Sequence, residues 1–290
     1  MTCSRHHSQY VYSASAYALA AEFERPKKHS LSPQASVVLS GHGGHGSQRV
    51  PGFNVDGLIS FKEAYSEVGG SYDDCHQMHT THAWSVVEGL NVADMLTADR
   101  VVSRVAVYHD ASGKKAEPTY DFTGSYFENL RIAGHPIDMK LDTNSLHAHD
   151  TFAKLAKAHK ERKCDHLLLG HGLCDITAAK LQQLEDTYHA LSGMSELVAE
   201  WKKKERPAER GAYMLSAANH LDLEKQVGKT ELENFGAIIC VPKFGVVRLG
   251  EIIVNKHSRT LRMFRVQMCS SGHGGSDGGT SGSGGSMPPG

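Results

Sequence analysis

Apolar and polar residues alternate along much of the first half of the chain, a pattern typical of β-strands. The segment "YVYSASAYALAAEF" alternates from Tyr10 onward, and "HAWSVVEGLNV" and "DRVVSRVAVYH" are rich in β-branched residues. Within "SYFENLRIAGHPIDMKLD", Gly134 and Pro136 indicate a bulge or a corner. The pattern predicts strands from Tyr10 to about Leu141.

The pattern changes between about Asp150 and Lys229, where apolar residues recur at helical spacing. The segment "DTFAKLAKAHKERK" opens with an Asp-Thr cap and carries Phe152 and Leu155 at that spacing. "DITAAKLQQLEDTYHALSGM" repeats the pattern, and "SELVAEWKKKER" is a third amphipathic piece that Pro207 ends. We therefore predict helices in this region.

Strand patterns return in "FGAIICVPKFGVVRLGEIIVN" and "RTLRMFRVQM", and the chain then becomes rich in glycine and serine from Ser270. Strands, helices and strands in that order predict a mainly β fold. We expect an antiparallel β-sandwich-like core in a single domain over residues 8–269, with a helical insertion at about 151–229. Residues 270–290 are predicted to be a flexible Gly/Ser-rich tail, because they offer little apolar surface to bury.

Several phrases of the two β regions resemble a family of uncharacterised bacterial β-rich proteins, distantly similar to the secreted choice-of-anchor P domain. The phrases are "YSASAYAL", "QASVVL", "HTTHAWSVVEGLNVADMLTADRVVSRV", "GSYFENLRIAGHPIDMKLD", "FGVVRLGEIIV" and "RTLRMFRVQM". The resemblance covers most of Tyr10 to Leu141 and Phe235 to Met268. It implies an all-β fold and brings no activity with it.

The name of that distant relative implies display at a cell surface through differing anchors. The sequence has no apolar run typical of a signal peptide, and it has no anchor, so it departs from that pattern. We expect a cytoplasmic location by default, with export by a route that needs no signal peptide as the alternative.

The nearly equal numbers of basic and acidic residues limit the classes of partner that we expect. Lys plus Arg number 31 and Asp plus Glu number 32, so net charge does not favour nucleic acid. No apolar run approaches the ~20 residues of a spanning helix. We expect neither nucleic-acid binding nor membrane insertion.

The chain has 19 histidines and six cysteines, and it has no CxxC pair. Widely spaced cysteines favour free thiols over a disulfide scaffold. Histidine is the commonest metal ligand, and two segments, "HAHD" and "CDHLLLGHGLCD", carry sets typical of zinc ligands. The alternatives are a helix cap at Asp150 and a glycine-capped helix end. The candidate metal ligands are His147, His149, Cys164, His166, His171 and Cys174.

The segment "CHQMHTTHAW" carries His76, His79 and His82. Threonines and a β-branched run follow, which favours a turn that enters a strand over a metal site. In a strand, His76 and His82 would face one way and His79 the other.

The arginines of "RTLRMFRV" recur at threes, as Arg259, Arg262 and Arg265. Because successive side chains of a regular strand alternate between faces, we expect no single basic patch there.

No nucleophile elbow or phosphate-binding loop occurs in the sequence. We therefore expect a non-enzymatic protein that binds a ligand or self-assembles as a homo-oligomer, with no cofactor. One alternative is a metal-dependent, zinc-type hydrolase that uses the clustered histidines. The other is a histidine-based module that responds to metal or pH.

Overall fold

The computed structural model describes residues 10–23, 29–55, 57–112, 117–173, 175–191, 194–195, 198–199, 212–218, 220–228, 230–268 and 274–286. Over these residues the fold is mainly β, with antiparallel sheets and a few helices. The predicted fold class is confirmed. No helix in these ranges is both long and apolar enough to span a membrane.

The strands and helices are numbered in chain order. The strands are β1 (Tyr10–Phe23), β2 (His29–Gln34), β3 (Val37–Val38), β4 (Gly44–Val55), β5 (Ile59–Asp73), β6 (Met78–Val92), β7 (Leu96–Asp110), β8 (Thr119–Asp121), β9 (Tyr126–Glu128), β10 (Arg131–Ile132), β11 (His135–Pro136), β12 (Ala212–Ser216), β13 (Glu233–Phe235), β14 (Ile238–Val241), β15 (Gly245–Asn255), β16 (Ser258–Met268) and β17 (Gly274–Ser286). The α-helices are α1 (Thr143–His147), α2 (Phe152–Lys160), α3 (Ala178–Thr187) and α4 (Leu223–Val227), and short 3₁₀ turns cover Asp165–Leu167, His171–Leu173 and His189–Leu191.

The strands form two sheets. Sheet A has the order β13-β14-β15-β16-β17-β1-β2, with β12 beside β15 and β3 beside β1. Sheet B has the order β11-β10-β7-β6-β5-β4, with β8 and β9 beside β7. Strands β1, β16 and β17 pack on β5, β6 and β7, so the two sheets enclose the core between them.

The alternation in β1 places small residues between the sheets. Ala14 and Ala16 are buried, whereas Ser13, which alternates with them along β1, is exposed. The two alanines share a core cluster with Val68 of β5 and Ala83 of β6. Because alanine side chains are short, β1 can lie close to sheet B along this stretch.

The long strands β5, β6 and β7 form the centre of sheet B. Val68, Ala83 and Val105 pair in register across the three strands, and each is fully buried. Full burial of a valine side chain contributes about 1.5–3 kcal/mol. Rows of this kind therefore hold the two sheets together.

The predicted flexible tail differs from the structure over residues 274–286. These residues form β17, which pairs with β1 on one side and with β16 on the other. A Gly/Ser-rich segment has little strand propensity of its own, but two flanking strands satisfy its backbone groups. This pairing is the physical reason for the difference.

The predicted helical insertion at 151–229 is also only partly correct. Helices α2, α3 and α4 lie within it, but Ala212–Ser216 forms β12 and pairs with β15. Tertiary pairing therefore places a strand inside the segment that the sequence marks as helical. Most of the third predicted helix, at 195–206, lies outside the described residues.

The arginines of β16 do not alternate as expected. The pairing of β16 with β17 shifts register between Arg262 and Phe264. The side chains of Arg262 and Arg265 both approach Oε1 of Glu251, at 3.4 and 3.9 Å. A β-bulge adds one residue to a strand, which brings two arginines three positions apart to the same face.

Candidate ligand-binding groove

An open groove with a volume of about 400 Å³ lies on sheet B. Its residues Tyr65 and Trp84 alternate along β5 and β6 with Ala64 and Ala83 of the core clusters, so the groove lies on the face directed away from sheet A. Strands β4, β5 and β6 supply its walls. Its lining residues are Ser47, Gln48, Arg49, Glu63, Tyr65, Ser66, Glu67, Trp84 and Glu88. The volume is in the range of about 300–1,000 Å³ that is usual for small-molecule sites.

Two aromatic rings meet inside the groove. The ring centroids of Tyr65 and Trp84 are 5.5 Å apart, and their planes are 88° apart. Both side chains are partly exposed. The rings therefore form a right-angled corner that is open to solvent, a favourable geometry for an aromatic pair.

The register of sheet B explains why these rings share a face. Tyr65 pairs with Val86, and Val86 pairs with Val102. Both valines are buried, yet they belong to neither of the core clusters between the sheets. We infer that larger side chains of the outer face, Tyr65 and Trp84 among them, cover these valines.

Charged side chains hold fixed positions around the corner. Nε and Nη2 of Arg49 donate to the two carboxylate oxygens of Glu63, the second at 2.7 Å. This hydrogen bonding lowers the pKa of Glu63 and raises the pKa of Arg49. A bidentate pair of this kind has a defined orientation, so the groove's rim is ordered before any ligand arrives.

Arg100 connects the aromatic corner to a second carboxylate. Its Nη2 donates to the Tyr65 hydroxyl at 2.8 Å, and its Nε lies 3.7 Å from Oε1 of Glu88. The hydroxyl bond raises the pKa of Arg100. The Tyr65 ring is thereby fixed at its outer end as well as at its backbone.

Two histidines approach the third carboxylate. Nε2 of His45 lies 3.2 Å from Oε1 of Glu67, and Nε2 of His82 lies 3.7 Å from the same atom. A Cβ atom on Gly69 would lie 2.2 Å from Cε1 of His82. The imidazole therefore lies over the glycine backbone, which a larger residue would prevent.

A family profile described as "Domain of unknown function (DUF8256)" matches residues 10–255. The chain belongs to this family. The match includes β4, β5 and β6, so the groove lies within the DUF8256 region. The expectation of an uncharacterised family is confirmed. No curated protein and no solved structure matches the chain.

His147 and His149, the first histidine pair predicted as metal ligands, have different neighbours in the DUF8256 fold. His147 ends α1, and its Nε2 lies 2.9 Å from Oδ1 of Asp121. His149 is half-buried, and burial followed by the charge of His166 lowers its pKa. His166 has its ring centroid 6.4 Å from that of His220.

The structure describes one of the two cysteines that were predicted as zinc ligands. Cys164 is a buried free thiol whose Sγ lies 3.9 Å from the Leu155 carbonyl oxygen. Burial raises its pKa to about 11, which opposes the thiolate that zinc requires. His171 begins a 3₁₀ turn, and Cys174 lies outside the described residues.

Among the described residues, no three histidine, cysteine, aspartate or glutamate side chains lie close enough together to hold a metal ion. The zinc site stays a prediction of the sequence. Cys75, Cys164 and Cys240 are free thiols, as expected.

The interpretation of "CHQMHTTHAW" as a turn that enters a strand is confirmed. Nδ1 of His76 lies 2.7 Å from Asp73 in the turn, and β6 begins at Met78. His82 faces the groove side. His79 faces the opposite side, where the Tyr10 and Tyr12 rings contact it.

Sequence reasoning missed the groove. The sequence did contain a signal for it. In β5 and β6 buried and partly exposed residues largely alternate, and the aromatic residues Tyr65 and Trp84 occupy partly exposed positions. Partly exposed aromatic residues among charged ones are typical of binding surfaces. Only the pairing register, however, shows that the two rings are neighbours.

Proposed function

We propose that this protein is a non-enzymatic binding protein whose ligand lies in the groove on the outer face of sheet B. The observation that carries the proposal is the open corner between Tyr65 and Trp84. Aromatic rings that are ordered and partly exposed provide large contact area at low entropic cost. Apolar contact and fixed polar groups together are the usual composition of a small-molecule site.

The groups around the corner support binding rather than catalysis. Glu63 and Glu88 are direct cross-strand neighbours, which suggests the carboxylate pair of a glycosidase. Such a pair needs one protonated acid with a raised pKa. The pKa of Glu63 is instead lowered by its hydrogen bond with Arg49, so this carboxyl is a poor general acid.

The finer parts of the sequence-based prediction stay predictions. The distant similarity to the choice-of-anchor P domain is compatible with a binding role in a β-rich domain. A zinc-type hydrolase and a metal-responsive module both need several ligands placed to hold one ion, and among the described residues no three histidine, cysteine, aspartate or glutamate side chains form such a group.

The edge strand β4 bears on the prediction of self-assembly. Strand β4 ends sheet B and is 12 residues long. A long edge strand can pair with a second copy, although charged residues and proline reduce such pairing, and β4 carries Arg49 and Pro51. Size-exclusion chromatography with light scattering tests this prediction, and a mass of one chain would contradict it.

Fluorescence of Trp84 tests the binding role directly. The chain has two tryptophans, so Trp201→Phe leaves Trp84 as the only reporter. Four probes of different chemistry are titrated: a neutral oligosaccharide mixture, ATP, an acidic peptide and a long-chain fatty acid. We expect at least one to shift the emission and to raise the thermal midpoint. If none does so at millimolar concentration, the groove is not a binding site.

A further inference from the structure

We infer that the ligand of the groove is a neutral carbohydrate, a pyranose ring or a short oligosaccharide. This inference rests on the proposed function and names its ligand class.

The aromatic corner matches the shape of a sugar ring. One face of a pyranose presents C–H groups, which pack against an aromatic face through dispersion and weak C–H contacts. With planes 88° apart, one ring of the pair can lie under the sugar while the other borders it. A flat, fully aromatic ligand would use only one of the two faces.

The polar groups of the groove suit hydroxyl groups, which donate and accept. Carboxylate oxygens of Glu63, Glu67 and Glu88 accept hydrogen bonds, and the Arg49 guanidinium donates them. Gln48 provides an amide that does both. Neighbouring acceptors and donors on a rigid sheet can engage adjacent hydroxyls of one sugar.

The charge balance disfavours an ionised ligand. Glu63 already faces Arg49, and Glu88 faces Arg100. Glu67 faces the imidazoles of His45 and His82. Since Glu63 and Glu88 each already have an arginine partner, a charged ligand that pairs with either carboxylate or either arginine would have to displace an existing partner. A neutral polyhydroxylated ligand gains hydrogen bonds without doing so.

The experiment is calorimetric titration of the whole chain with three uncharged hexasaccharides, built from glucose, mannose and N-acetylglucosamine. Polygalacturonate serves as the acidic sugar. We expect saturable binding to at least one uncharged hexasaccharide, with an emission shift in the Trp201→Phe background.

Variants connect that binding to the corner. We expect Trp84→Ala and Tyr65→Ala each to weaken the bound hexasaccharide about tenfold or more, the size of one lost aromatic contact. Trp84→Phe keeps a ring and should lose less, which protects the test if the alanine variants do not fold. Tyr72→Ala removes an exposed tyrosine outside the groove and should bind normally.

The outcomes separate the two proposals. Binding of ATP, the peptide, the fatty acid or polygalacturonate in the groove, with no binding of the uncharged sugars, overturns the carbohydrate inference and leaves the binding role intact. Sugar binding that Trp84→Ala and Tyr65→Ala leave unchanged also overturns the inference. Absence of binding to every probe overturns both.

Discussion

The hydroxyl of Tyr12 lies 2.8 Å from Nδ1 of His79, so β1 of one sheet is hydrogen bonded to β6 of the other. The Tyr10 ring stacks on the same imidazole, with centroids 3.8 Å apart and planes within 2°. His79 pairs across the strands with His109, whose ring lies 5.2 Å from Tyr10. The start of β1 is therefore fixed to sheet B by a tyrosine–histidine cluster.

This cluster predicts that acid destabilises the fold. Burial lowers the pKa of His79 and of His109, and the charge of His109 lowers that of His79 further. The unfolded state, with a histidine pKa of about 6.5, then binds more protons than the folded state. Stability is complete above that pH and decreases as the pH falls below it. Urea unfolding at pH 7.5 and at pH 5.5 measures the difference.

The variant His79→Gln tests whether the tyrosine–histidine cluster causes the acid destabilisation. We expect this variant to show a smaller loss of stability between pH 7.5 and pH 5.5 than the natural chain. The matched control is His135→Gln in β11, an edge strand of sheet B that is outside the cluster. If both variants keep the full acid sensitivity, the cluster is not its source.

Gly172 is predicted to tolerate no side chain. A Cβ atom there would lie 2.3 Å from the carbonyl carbon of Phe235, a backbone atom that cannot rotate away. Gly172→Ala is therefore expected to cost about 1–3 kcal/mol in the free energy of unfolding. In Gly170→Ala the new atom would meet only the flexible Met194 end at 3.3 Å. Equal urea midpoints for the two variants would contradict this prediction.

We predict that, among the carboxylates of sheet A, replacement of Glu251 destabilises the fold most. Glu251 is fully buried, and Arg262 and Arg265 approach its Oε1 atom. Glu251→Gln removes the anion that both cations approach, and removal of one partner of a buried pair costs about 3–5 kcal/mol. Because the arginines are partly exposed, we expect about 3 kcal/mol, near the lower limit.

Chemical denaturation measures that loss, with Glu63→Gln in the exposed pair with Arg49 as the control. Exposed pairs contribute little, so the control should unfold at nearly the same urea concentration as the natural chain. A Glu251→Gln variant as stable as the control would show that the arginines have sufficient other partners.

Removal of residues 270–290 is predicted to destabilise sheet A. Without β17, the facing edges of β1 and β16 lose their backbone partners, and unpaired edges promote aggregation. We expect a lower thermal midpoint and a higher aggregated fraction in light scattering. Removal of residues 287–290 alone is the control. An unchanged midpoint after the longer deletion would mean that β17 adds nothing to the sheet.

The fold class was predictable because strand alternation is a local signal. In β1, the buried phase that includes Ala14 and Ala16 can be read directly from the sequence. The pairing of β17 was not predictable, since its glycines and serines show no alternation of apolar residues. Its partner β1 is remote in sequence, and its pairing with β16 shifts register. The groove required the register between Tyr65 and Trp84, and the position of Arg265 required a bulge. Neither appears in a single-strand pattern.

The pairing of Tyr10 with Ser286 places the first and the last of the described strands side by side. During synthesis, the first strand of the fold is made long before its partner leaves the ribosome. Sheet A can therefore close only after β17 has emerged from the ribosome, and contacts this distant in sequence slow folding. Until then only sheet B can cover the early strands, and a chain that stalls before β17 emerges would expose the edges of β1 and β16 together.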